Sequence, residues 1–279
     1  MSISSTYKNN ESPLNYSGGK FKILDFIHEN LPQDIDTFYD VFGGGFNVGS
    51  NIFNCKKVVY NDYNNYVFAL VKKLWESDYE SVLRHIENRV EEFGLSYGSE
   101  SYYEMRKHYN SKRPEDRNPL DLYVLILFGF QHQIRFNKKH DFNNPVGKSG
   151  LNESIKEKLL NFGKKDDRDF EFINQDFRKF STFNFSKNDL IYCDPPYLIT
   201  SAAYNDGGKR GFDGWDEKIE KEFLALLSKL NSNGVRFMLS NVIYHKDKKN
   251  EILSDWIESN NFKVKTLDSK RKEILVINY

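Results

Sequence analysis

NDLIYCDPPYLIT, residues 188–200, is an apolar run that turns abruptly polar and then stiff. Leu190 to Cys193 carry no charge and read as a short strand buried on both faces. Asp194 closes it. Pro195 and Pro196 then fix φ and remove two backbone donors, so the chain leaves the strand extended and rigid. Two earlier runs have the same form: DTFYDV (36–41), which continues into FGGG (42–45), and KKVVYND (56–62). FEFINQD (170–176), VRFMLSN (235–241) and KEILVINY (272–279) add further strands, and KIEKEFLALLSKL (218–230) repeats its apolar residues at helical spacing. Strands alternating with helices predict an α/β fold, a mostly parallel sheet covered on both faces. Ligands bind such sheets beyond the carboxyl ends of the strands, which is where these runs carry their polar residues, so a single cleft is expected.

Residues 64–165 differ from the rest. They are rich in helix formers, charges and tyrosine, and they separate the second strand from the third by far more than the few residues usual in α/β units. The expected organisation is therefore a core built from 1–63 and 166–279 with an inserted, mainly helical domain at 64–165. With 39% hydrophobic and 15% aromatic residues, the 279-residue chain can build a buried core. Forty basic residues balance forty acidic ones, so any nucleic-acid contact must come from a local basic surface. MSISSTYKNN has neither the basic start nor the apolar run of a signal peptide, and no apolar run approaches the ~20 residues of a membrane helix. A soluble, cytoplasmic protein with no membrane partner is expected, as a monomer. Cys55 and Cys193 lack metal-type spacing, which suits a reducing compartment, and no metal site is expected.

The chemistry concentrates at four places. At the first, the Asp194 carboxylate and the Pro195 carbonyl are two acceptors side by side. They suit an aromatic amino group such as that of adenine, whose lone pair is delocalised into the ring. Accepting both N–H bonds draws that nitrogen toward tetrahedral geometry and frees the lone pair for attack. Tyr197 can stack on the base, worth roughly 1–3 kcal/mol. At the second, Gly43, Gly44 and Gly45 let the backbone turn sharply and approach a ligand after the first strand. Their spacing is not that of a dinucleotide fingerprint, and such a loop can hold the amino-acid end of S-adenosylmethionine. At the third, Asp62 closes the second strand, where an acid accepts from ribose hydroxyls. At the fourth, Tyr16-Ser17-Gly18-Gly19-Lys20 precedes an apolar helical stretch and offers a cation for a cofactor carboxylate, with Tyr16 as an aromatic wall. It is not a phosphate-binding Walker loop.

Basic and aromatic residues interleave in the insertion: Arg106, Lys107, Lys112, Arg113 and Arg117, then Phe130, Arg135, Asn137, Lys138, Lys139 and Lys148. Lysines suit phosphates, while Arg, Asn and Gln read base edges, so FQHQIRFN (130–137) has side chains fit for groove contact.

Taken in order, YSGGK (16–20), DVFGGG (40–45), YND (60–62), YVLILFGFQHQIRFN (123–137) with NPVGK (144–148), NQDF (174–177), DPPYLIT (194–200) followed by AYN (203–205), and MLSN (238–241) span nearly the whole chain. In them the sequence resembles the Dam family of DNA adenine-N6 methyltransferases, and is most similar to the phage T4 type. The resemblance implies a Rossmann-like class I S-adenosylmethionine-dependent methyltransferase fold, with the order of the α class: Gly loop, inserted target-recognition domain, DPPY. It implies that Tyr16, Lys20, Phe42, Gly43, Gly45, Asp62, Asp176, Phe177 and Asp194 surround the methyl donor, with Asp194, Pro195 and Tyr197 at the target adenine. It also implies that Phe130, Gln131, Gln133, Arg135, Asn137 and Lys148 touch double-stranded DNA. Many relatives place an Arg after the P-x-G turn to read a guanine. Here Lys148 and Ser149 follow Gly147, and Lys lacks the two-pronged fork of Arg. GATC is the family's usual target, and a cognate restriction endonuclease is an expected partner.

Rival readings differ at named residues. Cytosine-N4 methylation needs the same loop logic, but by resemblance Asp before the two prolines leans toward adenine and Ser toward cytosine. Cytosine-C5 chemistry would need a nucleophilic Cys in a Pro-Cys pair, and Cys193 has no such neighbour. A catalytically silent DNA-binding homologue would have no need of Asp194, Tyr197, Asp62 and the Gly loop together. RNA or protein-glutamine methylation would use related loops, although the long basic insertion suits duplex DNA better.

Overall fold

The computed structural model describes residues 9–16, 18–163, 167–200, 214–267 and 272–279. Ser17 of the YSGGK run, the AYN run at 203–205 and the expected domain boundary at 165/166 lie outside them. Seven strands form one sheet: β1 (Ile35–Asp40), β2 (Cys55–Asn61), β3 (Asp169–Ile173), β4 (Leu190–Cys193), β5 (Arg236–Asn241), β8 (Lys263–Thr266) and β9 (Ile274–Ile277). Two short strands, β6 (Tyr244–His245) and β7 (Lys248–Lys249), make a separate hairpin after β5. The order across the sheet is β3-β2-β1-β4-β5-β9-β8, with β1 to β5 parallel and β9 antiparallel to both its neighbours. The mostly parallel α/β sheet expected from the strand runs is therefore present. The central strand β4 is buried at all four positions, as its uncharged run requires. The order reverses between β1 and β4. Asp40 pairs in register with Tyr192, so the end of β1 and the residue after β4 emerge together at this switch point.

Helices α1 (Leu24–Glu29), α2 (Asn65–Glu76), α3 (Tyr79–Phe93), α4 (Ser101–Ser111), α5 (Pro119–Phe128), α6 (Glu153–Phe162), α7 (Glu217–Ser232) and α8 (Glu251–Asn260) surround the sheet. α5 is apolar all round apart from Asp121, and every residue after Pro119 is buried, with α2, α3 and α4 packed against it. Asp121 is held there by Arg89, His85 and Lys112, which keep its carboxyl at about 2 despite burial. A helix with no wet face must sit in the middle of its neighbours.

The insertion does not keep a core of its own. One apolar cluster runs from Phe38, Val58 and Tyr60 of the sheet through Val67, Leu70 and Leu74 of α2 to Leu122 and Val124 of α5. α2 lies against β3 as well as α5, so the division expected at 63/64 cuts through shared packing. The other face of the sheet, including Phe237 of β5, is covered by α7 and α8 through Phe223, Leu227 and Leu253. Both cysteines are buried free thiols. Among the described residues no helix is long and apolar enough to cross a membrane.

Candidate active site

The switch point brings together residues from opposite ends of the chain. Asp194, one residue past β4, receives Lys20 Nζ on Oδ2 at 2.8 Å and the Tyr197 hydroxyl on Oδ1 at 3.0 Å. Lys20 also donates to the Gly18 carbonyl at 2.9 Å and lies 5.0 Å from the centre of the Tyr197 ring. Its side chain is 6% exposed and that of Asp194 is 18% exposed, so this is a desolvated ion pair. Burial raises the Asp194 pKa, and the Lys20 charge and the Tyr197 hydroxyl pull it back. Lys20, expected beside a cofactor carboxylate, makes its ion pair here with the DPPY carboxylate. The Tyr197 hydroxyl reaches a second acid as well, Glu273 Oε2 at 2.7 Å. Glu273 opens the β9 run and is absent from the sequence reading, because one acid before a strand has no spacing to mark it.

Beside this pocket the ends of β1, β2 and β3 are stapled by Asn61. Its amide donates to the Val41 and Gln175 carbonyls at 2.8 and 3.1 Å, and its oxygen accepts from Gln175 N–H at 2.9 Å. Asp62, the next residue, accepts Gly44 N–H at 2.9 Å and Asn64 N–H at 2.8 Å. A carboxylate has about four acceptor positions, so these two bonds orient Asp62 and leave capacity for hydroxyl donors. Burial pushes its pKa up to about 6. Gly44 has φ +48°, and a Cβ there would lie 2.8 Å from the Tyr16 ring, so Tyr16 covers the loop. Gly45 runs under the same residue.

Phe42 and Phe177 stand 5.9 Å apart between ring centres, and Trp215 and Phe223 complete an aromatic cluster that the sequence reading did not include. Asp176, past β3, accepts from Arg178 at both its backbone N–H and its guanidinium, at 2.9 and 2.7 Å. The donor residues expected from Tyr16 to Phe177 thus lie on the neighbouring loops after β1, β2 and β3 and on the segment before α1.

Two consequences can be measured on the free protein. A Cβ on Gly43 would lie 2.3 Å from the ring of Tyr60, which is fully buried, so Gly43→Ala must displace the loop or the ring. The variant is expected to lose about 1–3 kcal/mol of stability and to bind S-adenosylmethionine more weakly, read by thermal melting and calorimetric titration. Asp40, 2% exposed, has its pKa pushed up to about 7, first by burial and then by repulsion from Asp194 and Asp62, against one opposing bond from Gly49 N–H. A carboxyl that holds its proton more tightly folded than unfolded contributes least once it ionises. Stability therefore falls as pH rises from its unfolded pKa near 4 through 7. Asp40→Asn should flatten that slope between about pH 4 and 7, checked by melting temperature against pH; an unchanged slope would contradict the assignment.

The segment after α5 holds no α-helix, only a short 3-10 turn at Phe130–His132. After α5, residues 129–147 form an irregular hairpin closed by bridges Gly129–Val146 and Phe136–Phe142. Its first arm bends at Gln131 and His132, both at positive φ (51° and 52°), a strained pair that presents Phe130 to solvent at 49% exposure, and its tip is the turn at 137–141. Gln131, Gln133, Arg135 and Lys148 are also exposed. Asn15, next to Tyr16, donates to the Gln131 carbonyl at 3.2 Å and joins this bend to the Gly-loop side of the site.

Asn137 shapes the turn: its oxygen accepts the backbone N–H groups of Lys139 and Asp141. Part of the basic run is likewise spent inside. Arg117 is buried, pairs with Asp141 at 3.2 Å and donates to the Lys112, Asn110 and His140 carbonyls. Lys112 meets buried Asp121 at 3.4 Å, whereas Arg113 meets Asp116 at 2.7 Å on the surface.

Comparison with known proteins gives a consistent set. The family model for D12 class N6 adenine-specific DNA methyltransferases matches residues 16–272. The chain is 42% identical over 293 aligned positions to modification methylase StsI of Streptococcus sanguinis, covering 99% of this chain and 44% of that protein. It is 40% identical to type II methyltransferase M.FokI of Planomicrobium okeanokoites, covering 96% of this chain and 43% of that protein. With the DNA adenine methylase of Haemophilus influenzae it shares 28% identity over 71% of this chain and 68% of that one. The chain thus spans less than half the length of the first two relatives.

Proposed function

Because this chain belongs to the family of D12 class N6 adenine-specific DNA methyltransferases, we propose that it methylates N6 of an adenine flipped out of a short duplex DNA site. The observation that carries this reading is the pairing of buried Lys20 with Asp194 at the switch point, beside the loop that carries Asp62 and the three glycines. Lys20 opposes the rise that burial gives the Asp194 pKa and so favours its charged form, an acceptor with no proton of its own to offer the amine. Asp194 Oδ1 and the Pro195 carbonyl take the two N6–H bonds, and Tyr197 packs on the base. Asp62 orients the donor's ribose, Phe42 and Phe177 border its adenine, and Tyr16 with Gly43 and Gly45 surrounds its amino-acid end. S-adenosylmethionine, when bound, supplies an electrophilic methyl on sulfur. With that donor bound, its sulfur would take the C–S electron pair as N6 gains the methyl, and Asp194 would accept the proton the nitrogen loses and release it to water.

The loop at 129–148 supplies duplex contact through Phe130, Gln131, Gln133, Arg135 and Lys148, offsetting the few kcal/mol that flipping costs. Within residues 64–165 we assign target recognition to this loop, and to α2 a supporting role under the sheet. GATC is the first candidate site, with Lys148 in place of Arg the residue that would change it. StsI is named a modification methylase, and a role in protecting DNA from a cognate restriction endonuclease follows by analogy.

The test is labelled methyl transfer from S-adenosylmethionine to unmethylated duplex DNA, RNA and protein in parallel, with mapping of the modified DNA site. Transfer to duplex DNA in one short motif is expected. Transfer to RNA or protein alone would overturn the reading.

A further inference from the structure

The Tyr197 hydroxyl stands between two acids, 3.0 Å from Asp194 Oδ1 and 2.7 Å from Glu273 Oε2. A phenol has one proton, so it can donate to only one of two ionised carboxylates at a time. Burial raises the Tyr197 pKa well above its ordinary value, and the charges of Asp194 and Glu273 push the same way, so the group remains a phenol. The shorter contact is to Glu273, which is 8% exposed and fixed at the head of β9, where its carbonyl accepts Leu267 N–H at 2.9 Å.

Which acid holds that proton matters to the reaction. Asp194 Oδ2 is engaged by Lys20, and Oδ1 is the oxygen in contact with the phenol. If the phenol donated to Oδ1, it would compete with the adenine amino group and would weaken the carboxylate as an acceptor. We propose that Glu273 is a positioning residue for methyl transfer: it accepts the Tyr197 proton, which leaves Asp194 Oδ1 open to the adenine amino group and pins the Tyr197 ring at the angle the base must meet. Glu273 touches neither base nor donor in this arrangement and acts through Tyr197. The inference rests on the adenine-N6 reading of the site.

The experiment is a single-turnover cycle with saturating S-adenosylmethionine and duplex DNA carrying the mapped site, comparing wild type, Glu273→Ala, Glu273→Gln, Tyr197→Phe and Tyr197→Phe/Glu273→Ala. Glu273→Ala should slow transfer about 10–50-fold, the scale of one charge-assisted hydrogen bond, with DNA affinity within about threefold of wild type. Glu273→Gln keeps an acceptor oxygen for the phenol and should recover most of the rate. In the Tyr197→Phe background, with no hydroxyl to hold, Glu273→Ala should cost nothing further. Equal rates for Glu273→Ala and wild type, or an undiminished loss in the Tyr197→Phe background, would overturn the proposal. Should Glu273→Ala not fold, Tyr197→Phe/Glu273→Gln against its two single variants gives the same decision. Absence of N6-methyladenine with the wild-type enzyme would instead strike the functional reading, so the two failures are distinguishable.

Discussion

Asp194→Ala is expected to lower methyl transfer by about a thousandfold or more while S-adenosylmethionine still binds within a fewfold of wild type. The size follows from what the carboxylate does: it is one of two acceptors that shape the reacting nitrogen, and loss of one preorganised polar partner at a reacting centre costs on the order of 10²–10³ in rate. Loss of the proton acceptor adds to this. The substitution also strands Lys20, 6% exposed, with the Gly18 carbonyl and the Tyr197 ring as its recorded partners. Breaking a buried pair from one side costs about 3–5 kcal/mol, so the melting temperature should fall as well. Adding Lys20→Met to Asp194→Ala removes the stranded charge. Melting temperature should then recover while transfer stays lost, which separates the catalytic role from the stability role.

Lys20→Met alone should act through pH. Burial already raises the Asp194 pKa, and Lys20 is the main force lowering it. Without that cation the carboxyl protonates at higher pH, and the protonated form cannot accept both as oxygen and as base. Transfer at neutral pH should fall about 10–100-fold, the acid limb of the kcat profile should move to higher pH, and raising the pH should restore part of the rate. A uniform loss across the profile would show that Lys20 serves something other than the charge state of Asp194.

Much of this was legible in the chain because the central strands are buried on both faces. LIYC, VVYN and RFMLSN are unbroken enough to be read as strands, and in a parallel sheet the polar residue ending each run must lie on one edge. The β1–β4 register then places Asp40 and Asp194 together without further information. What escaped the reading has physical reasons. β8 is KVKT with all four residues exposed, an edge strand with no apolar signature. Glu273 and Trp215 gain their meaning from partners distant in sequence. Arg117 resembles a DNA-contacting side chain in composition, yet folding consumes it in a buried ion pair. Lys20 was recognised as a functional cation, but its partner is a carboxylate of this chain, a choice that only the return of β4 beside the N-terminal segment makes visible.

Mass-spectrometric nucleoside analysis of DNA from a host without adenine methylation, expressing either this chain or its Asp194→Ala variant, decides whether the switch-point carboxylate drives adenine methylation. N6-methyladenine with the wild-type chain and none with the variant is the expected result. N4-methylcytosine as the product, or undiminished N6-methyladenine with the variant, would contradict it.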